Sequence, residues 1–113
     1  MAHVVHKNDL PGNHTSRQFE GHLHHATYLS FFISDTPPGK GPSLHTHPYE
    51  EIFIIEAGTL TFVVGTETID ATPGQIVIVP PETPHKFTNT GAENARHIDL
   101  HANAQMVTTW LED

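Results

Sequence analysis

Apolar residues in this chain occur in short runs, and almost no stretch repeats with the 3.6-residue period of a helix. Clusters of Gly, Pro, Asn and Asp separate the runs, and the prolines at 80 and 81 mark a strand end because they cannot donate to a central ladder. Many short strands with turn signals between them predict an all-β sandwich or barrel. The predicted strands cover residues 29–33, 52–55, 59–64, 66–69, 76–79, 85–89 and 96–100.

The length of 113 residues suits one domain. We expect residues 1–20 to form an N-terminal arm or an edge strand, and residues 21–113 to form a single barrel domain. The tail, residues 105–113, fits either a last strand or a short helix. Its Trp110 and Leu111 would pack on the barrel or on a partner.

Composition excludes several classes of function. Thirteen acidic residues against five Lys plus Arg give a formal charge of −8, which disfavours nucleic acid as a partner. Without cysteine there are no disulfides and no thiolate chemistry. No apolar run approaches the roughly 18 residues of a membrane helix, and the start lacks a signal-peptide pattern. We therefore expect a soluble cytoplasmic protein with no membrane partner.

Eleven histidines are the unusual feature of the composition, and residues 45–51 read HTHPYEE. On a strand, His45, His47 and Glu51 point to one face because side chains alternate. A neighbouring strand must complete a metal shell, and His85 after the stiff segment 80–84 is the best candidate. Three imidazoles and a carboxylate suit one divalent transition metal: Mn, Fe, Ni, Co or Zn.

Three aromatic residues share the alternation of these predicted ligands. Phe53 and Phe87 are open to two interpretations, barrel core or the apolar wall of a substrate pocket. Tyr49 places a hydroxyl near the predicted metal and is the candidate catalytic residue, because it could orient a substrate.

The last predicted strand alternates between polar and apolar residues. Core packing would turn Ile98 and Leu100 inward and leave His97, Asp99 and His101 outside. In the reversed orientation, His97 or His101 would face the cavity as a base beside the metal.

Two longer motifs extend this pattern. The first is Gly39, five residues, His45 and His47, then Glu51 after three residues, and Gly58 after six more.

The second motif begins at Gly74 and continues through Pro80, His85 and Asn89. Together the two motifs resemble those of the cupin superfamily over roughly residues 30–101. One position departs from the family pattern, because Glu82 stands where glycine is usual. A glycine there often holds a left-handed backbone, so the angle of this turn is in question.

The resemblance implies a small double-stranded β-helix barrel, a relative of the jelly roll, with metal ligands at His45, His47, Glu51 and His85. It also implies a homodimer formed through edge strands. The function that it favours is a metal-dependent enzyme acting on a small organic substrate, with dioxygenase-type oxidation first and isomerase or lyase chemistry as alternatives. A non-catalytic module that binds a sugar or a carboxylate is the competing hypothesis, because the superfamily contains both.

Overall fold

A computed structural model describes residues 2–26 and 28–113 and consists almost entirely of antiparallel strands. Two 3-10 turns, Lys7–Asp9 and Gly21–Leu23, are the helical elements of these ranges, and no helix there is long and apolar enough to cross a membrane. The strands are β1 (Gly12–Asn13), β2 (Ser16–Glu20), β3 (Ser30–Thr36), β4 (His45–Thr46), β5 (Glu51–Ala57), β6 (Leu60–Val64), β7 (Glu67–Ala71), β8 (Ile76–Val79), β9 (His85–Asn89), β10 (Ala95–His101) and β11 (Thr109–Trp110).

The strands form two sheets that face each other, which confirms the predicted all-β barrel. The six-stranded sheet has the order β1-β2-β3-β10-β5-β8, and the five-stranded sheet has the order β11-β4-β9-β6-β7. Their inner faces enclose one apolar core, as alternating strands that pack face to face require. The core consists of Phe53, Ile55, Leu60, Phe62, Ala71, Val77, Val79, Phe87 and Ala95.

Alternation along β5 follows the sequence prediction. Glu51, Phe53 and Ile55 are buried, whereas the residues between them are only partly buried. The same inward face continues back through the preceding loop and β4, where His45, His47 and Tyr49 are also buried. The proline at 48 therefore does not disturb the alternation.

The predicted orientation of β10 was wrong. His97, Asp99 and His101 are buried on the inner face, while Ile98 and Leu100 lie on the outer face and are partly exposed. The physical reason is that this end of the barrel holds a polar site, so the inward imidazoles and carboxylate find partners there. The rule that apolar side chains face the interior does not predict the orientation of this strand.

The ends of the chain add strands to both sheets. β1 and β2 form a hairpin that pairs with β3 at one edge of the six-stranded sheet. The tail forms β11, which pairs with β4, so the strand interpretation of residues 105–113 holds and the helix interpretation does not. Trp110 lies against the ring of His45 at a centroid distance of 4.9 Å.

The turn before β9 keeps its shape despite the missing glycine. Glu82 adopts a φ of 60°, the left-handed conformation that glycine takes most easily. Its backbone N–H donates to the carbonyl of His47 at 2.8 Å. This hydrogen bond ties the turn to the loop that carries the histidines.

Candidate metal centre

The structure brings the four predicted ligands together. His45 lies on β4 directly opposite His85 at the start of β9, and Glu51 begins β5. One nitrogen or oxygen from each of these residues and from His47 lies within 4.8 Å of all the others, and all four residues are buried. Two sheets thus contribute to one cluster at the end of the barrel.

Backbone carbonyls fix the proton on three imidazoles. A carbonyl oxygen only accepts hydrogen bonds, so the Nδ1 atoms of His45, His47 and His85 must carry protons and donate. Each Nε2 is then left with a lone pair directed into the cluster, the arrangement that is usual for metal-ligating histidine. The accepting carbonyls are those of Ser43, Val107 and Thr83, at 2.7, 2.8 and 2.8 Å.

Glu51 faces these lone pairs. Its Oε1 lies 3.1 Å from Nε2 of His47 and 3.0 Å from Nε2 of His85. A carboxylate oxygen and an unprotonated ring nitrogen repel each other at this distance unless a cation lies between them. The buried Nε2 of His47 also has no directed hydrogen bond. The donor set therefore fits a bound divalent metal.

Burial and the contacts within the cluster shift the pKa values of its members in opposite directions. Burial raises the pKa of Glu51, but the surrounding imidazoles of His101, His47 and His85 outweigh burial, and its pKa is well below the usual range. Burial lowers the pKa of His45 to about 4. Burial also lowers the pKa of His47, but its contacts with Glu51 and the Val107 carbonyl outweigh this, and the net shift is upward.

His101 is a further residue beside the cluster. The expectation that the apolar side chains of its strand face inward had placed it outside the barrel. Its Nε2 lies 3.1 Å from Oε2 of Glu51, on the other side of the carboxylate from the histidines above. Its Nδ1 lies 2.7 Å from the hydroxyl of Tyr49, which also accepts from the backbone N–H of Val107 at 3.1 Å. The alternation of polar and apolar residues along β10 is the sequence pattern that could have identified this residue.

Tyr49, the predicted catalytic residue, lies behind the cluster. It is buried, its ring stacks on that of His47, and its hydroxyl contacts His101 rather than the cavity. Burial raises its pKa to about 12, so the hydroxyl stays protonated at neutral pH. Tyr49 can therefore act only through the imidazoles that it holds.

A cavity of about 680 Å³ opens over the cluster. Phe87 lines the cavity and also packs in the core, whereas Phe53 packs in the core against Phe62 and is not among the lining residues. Most of the wall is apolar, and one basic residue, Lys40, contributes to it. Further apolar lining comes from Phe32, Pro37, Pro42, Met106 and Trp110.

A second polar group lies in the cavity wall. Asp99 lines the cavity and its carboxylate accepts from Nδ1 of His97, while Nε2 of His97 lies 2.8 Å from the hydroxyl of Thr36. Burial raises the pKa of Asp99 and outweighs the neighbouring His97. A carboxyl group that accepts a proton readily thus lies in the cavity over the cluster.

Comparison with known proteins places the chain in a family. The family model of the cupin domain matches residues 32–101. The chain belongs to the cupin family. The match covers both sequence motifs and all four residues of the cluster.

One sequence relative of this cupin and one protein of similar fold come from streptomycetes. It is 36% identical over 62 residues to the polyketide synthase CurC of Streptomyces cyaneus, which is 54% of this chain and 40% of that protein. The fold is similar to that of the polyketide cyclase RemF from Streptomyces resistomycificus, with a TM-score of 0.77, 16% identity and coverage of 100% of this chain and 87% of that one.

The fold is also similar to that of oxalate decarboxylase from Lactobacillus farciminis. The TM-score is 0.82 at 22% identity, over 94% of this cupin and 35% of the larger chain. The cupin spans less than half the length of the curated relatives that it matches, 40% and 45%.

Proposed function

We propose that this cupin is a metal-dependent enzyme that acts on a small organic substrate, with His45, His47, Glu51 and His85 as the metal ligands. The observation that carries the proposal is the fixed position of the proton on three imidazoles, which leaves Nε2 of each unprotonated in a cluster that also holds the carboxylate of Glu51. When bound, a divalent ion supplies Lewis-acid polarisation of substrate oxygens, and iron or manganese also gives access to oxygen chemistry.

The cavity supports a particular class of substrate. About 680 Å³ is room for a drug-sized molecule, and a mostly apolar wall suits a ring or chain body. Oxygen atoms at one end of such a molecule would face the ligand cluster. Lys40 at the wall is suited to an anionic group at the other end.

Dioxygenase-type oxidation is the first reaction class that we propose. Asp99 favours a second class, in which the cavity moves a proton, as in an isomerase, lyase, decarboxylase or cyclase. Burial raises the pKa of Asp99, so its carboxyl group takes up a proton more readily than an exposed aspartate would, and the hydrogen bond from His97 holds it in place. Neighbours named as a decarboxylase and a polyketide cyclase are consistent with this second class.

Metal analysis followed by two assays on one panel tests the proposal. The untagged chain, loaded with Fe(II) or Mn(II), is offered compounds with two adjacent oxygen donors, such as catechols and 1,2- or 1,3-dicarbonyls. Oxygen uptake would support oxidation, and uptake of deuterium from D₂O into the substrate would support proton transfer. Asp99→Asn is the control, because it should stop deuterium uptake without changing metal content. Saturable binding with neither reaction would instead support a binding module and contradict the enzyme.

Acid should release the metal, because protons and the metal compete for the same Nε2 lone pairs. His47, whose pKa is raised, takes up a proton at a higher pH than His45, whose pKa is lowered to about 4. We expect metal content after equilibrium dialysis to decline below a pH of about 6, near the ordinary imidazole range. Full retention at a pH of about 4 would contradict a centre of three histidines.

A further inference from the structure

One wall of the cavity carries hydroxyl groups, whereas most of the remaining wall is apolar. Ser34 and Thr36 on β3 line the cavity, as does Ser16 on β2. The side chain of Thr36 is hydrogen-bonded to His97, and His97 is hydrogen-bonded to Asp99. We refer to Thr36, His97 and Asp99 as the distal network, because these residues lie away from the four metal ligands.

The distal network and the candidate metal centre lie at different levels of the barrel. His101, whose imidazole contacts Glu51, is also directly opposite Glu51 in the register of β10 and β5. His97 precedes His101 by four residues on the same strand, which at about 3.3 Å per residue separates the two backbone positions by roughly 13 Å. Thr36 and Glu51 both line the cavity, so one elongated ligand can contact both levels.

The imidazole of His97 is held in one orientation. Its side chain is fully buried, and its ring meets the ring of Phe87 almost at a right angle, at a centroid distance of 5.2 Å. Nδ1 contacts the carboxylate of Asp99, and Nε2 lies 2.8 Å from the hydroxyl oxygen of Thr36. Both ring nitrogens therefore have partners, and both partners belong to the cavity wall.

These contacts determine which group the cavity wall presents at Thr36. An ionised carboxylate only accepts hydrogen bonds, so Nδ1 of His97 donates to Asp99. A neutral imidazole has one donor and one acceptor, so Nε2 accepts the proton of the Thr36 hydroxyl. A hydroxyl has one proton and two lone pairs, and this proton is directed away from the cavity. The oxygen of Thr36 is therefore a hydrogen-bond acceptor for a ligand.

An acceptor in an apolar cavity selects among the polar groups of a ligand. A carbonyl or carboxylate has only lone pairs, and burying it against Thr36 would leave both acceptors without a proton. An ammonium group would be repelled by Lys40 and by a bound divalent ion, and it loses more on leaving water than a neutral group does. A neutral hydroxyl fits, because it donates to Thr36 and keeps lone pairs to which Lys40 can donate.

We propose that the distal network forms a second binding subsite of the cavity, in which Thr36 accepts a hydrogen bond from a hydroxyl group of the substrate. His97 and Asp99 are positioning residues of this subsite, because they fix the direction of the Thr36 proton. The proposal rests on the proposed function, in which the metal holds the oxygen atoms at the other end of the substrate. It narrows the substrate class to compounds with an apolar body, adjacent oxygens at one end and a free hydroxyl at the other.

Two matched probes test the subsite by isothermal titration calorimetry. The first probe is a naphthalene with two adjacent hydroxyls on one ring and a third hydroxyl on the other ring. The second is the methyl ether of that third hydroxyl, which cannot donate. The chain is loaded with Zn(II), which has no redox chemistry and leaves both probes intact. We expect the hydroxyl probe to bind roughly 3- to 10-fold more tightly than the ether, the range for one hydrogen bond.

Variants of Thr36 assign this difference to one oxygen atom. Thr36→Val keeps the volume but removes the hydroxyl, and it should bind the two probes equally, whereas Thr36→Ser should restore the preference. Thr15→Val is the matched control and should retain the preference, because its hydroxyl also belongs to a residue of the cavity wall but bonds to Asn13 at 2.6 Å. Equal affinities in the unmodified chain, or a preference that survives in Thr36→Val, would overturn the subsite while leaving the metal centre intact.

Nitrogen-15 NMR of the histidine rings in the unmodified chain is the second measurement, and it needs no variant and no probe. His97 should carry its proton on Nδ1 and have an unprotonated Nε2. A protonated Nε2 would overturn the proposal, because Thr36 would then accept from His97 and present a donor to the cavity. If neither probe binds to the loaded chain, the metal end of the proposed function fails, and this spectrum decides the subsite by itself.

Discussion

Replacing His85 with alanine is expected to remove the metal from this cupin while the barrel stays folded. His85 is fully buried between the two sheets and contributes one of the three imidazole lone pairs that the cluster offers to a metal. Substitution of a residue that hydrogen-bonds to a metal ligand already weakens metal binding by roughly 10- to 100-fold, so loss of the ligand itself should weaken metal binding further. Elemental analysis after dialysis should therefore find far less than one metal ion per chain.

The neighbouring residue provides the control. Lys86→Ala changes the next position on β9, where the side chain points outward to Glu112 at 3.1 Å, and it should leave metal content unchanged. If His85→Ala destabilises the barrel, His85→Gln is the alternative variant, because glutamine fills more of the space that the histidine side chain occupies. Unchanged metal in a folded His85 variant would show that another residue completes the site.

Phe53→Ala should be the most destabilising single change considered for the core. Phe53 is 1% exposed and contacts the rings of Phe62 and Phe87 at centroid distances of 4.8 and 5.6 Å. Truncation of a phenylalanine in such a place costs about 3–5 kcal/mol, a large part of the 5–15 kcal/mol that stabilises a typical domain. Thermal unfolding should shift down by roughly 10–20 °C.

Phe32→Ala is the matched comparison, because it truncates a phenylalanine of the cavity wall rather than one of the core. Phe32 lines the cavity and is only partly buried, so its loss should cost about 1 kcal/mol. If Phe53→Ala were equally mild, Phe53 would not belong to a close-packed core, and the interpretation of it as a pocket residue would return.

Alternation made much of the fold and the cluster predictable. The strands 76–79 and 85–89 begin and end where the sequence pattern places them, because prolines and glycines mark their ends. The inward set His45, His47 and Glu51 follows from a period of two alone. Asn89 holds a turn through hydrogen bonds that its side-chain amide donates to the carbonyls of Thr36 and Glu93.

Alternation could not decide which side of a strand faces the interior. On β10 the apolar residues were assigned to the inside, whereas the polar residues lie there because the interior at that end is a site. The sequence also left open whether residues 1–20 form an arm or an edge strand, because the pairing of the hairpin 12–20 with β3 is a long-range contact with little apolar signal of its own. The separation of Phe53 from the cavity depends on side-chain packing that one sequence does not specify.

The opposite faces of β5 and β10 have a consequence for how the length of this chain can vary. Side chains on each strand alternate between the interior, which holds the core, the cluster and the cavity wall, and the outer surface of the six-stranded sheet. Insertion or deletion of a single residue in either strand would exchange the two sets, placing isoleucines against the carboxylate and imidazoles in solvent. Related chains should therefore differ in length at the turns, such as residues 37–44 and 90–94, and keep the number of residues in both strands constant.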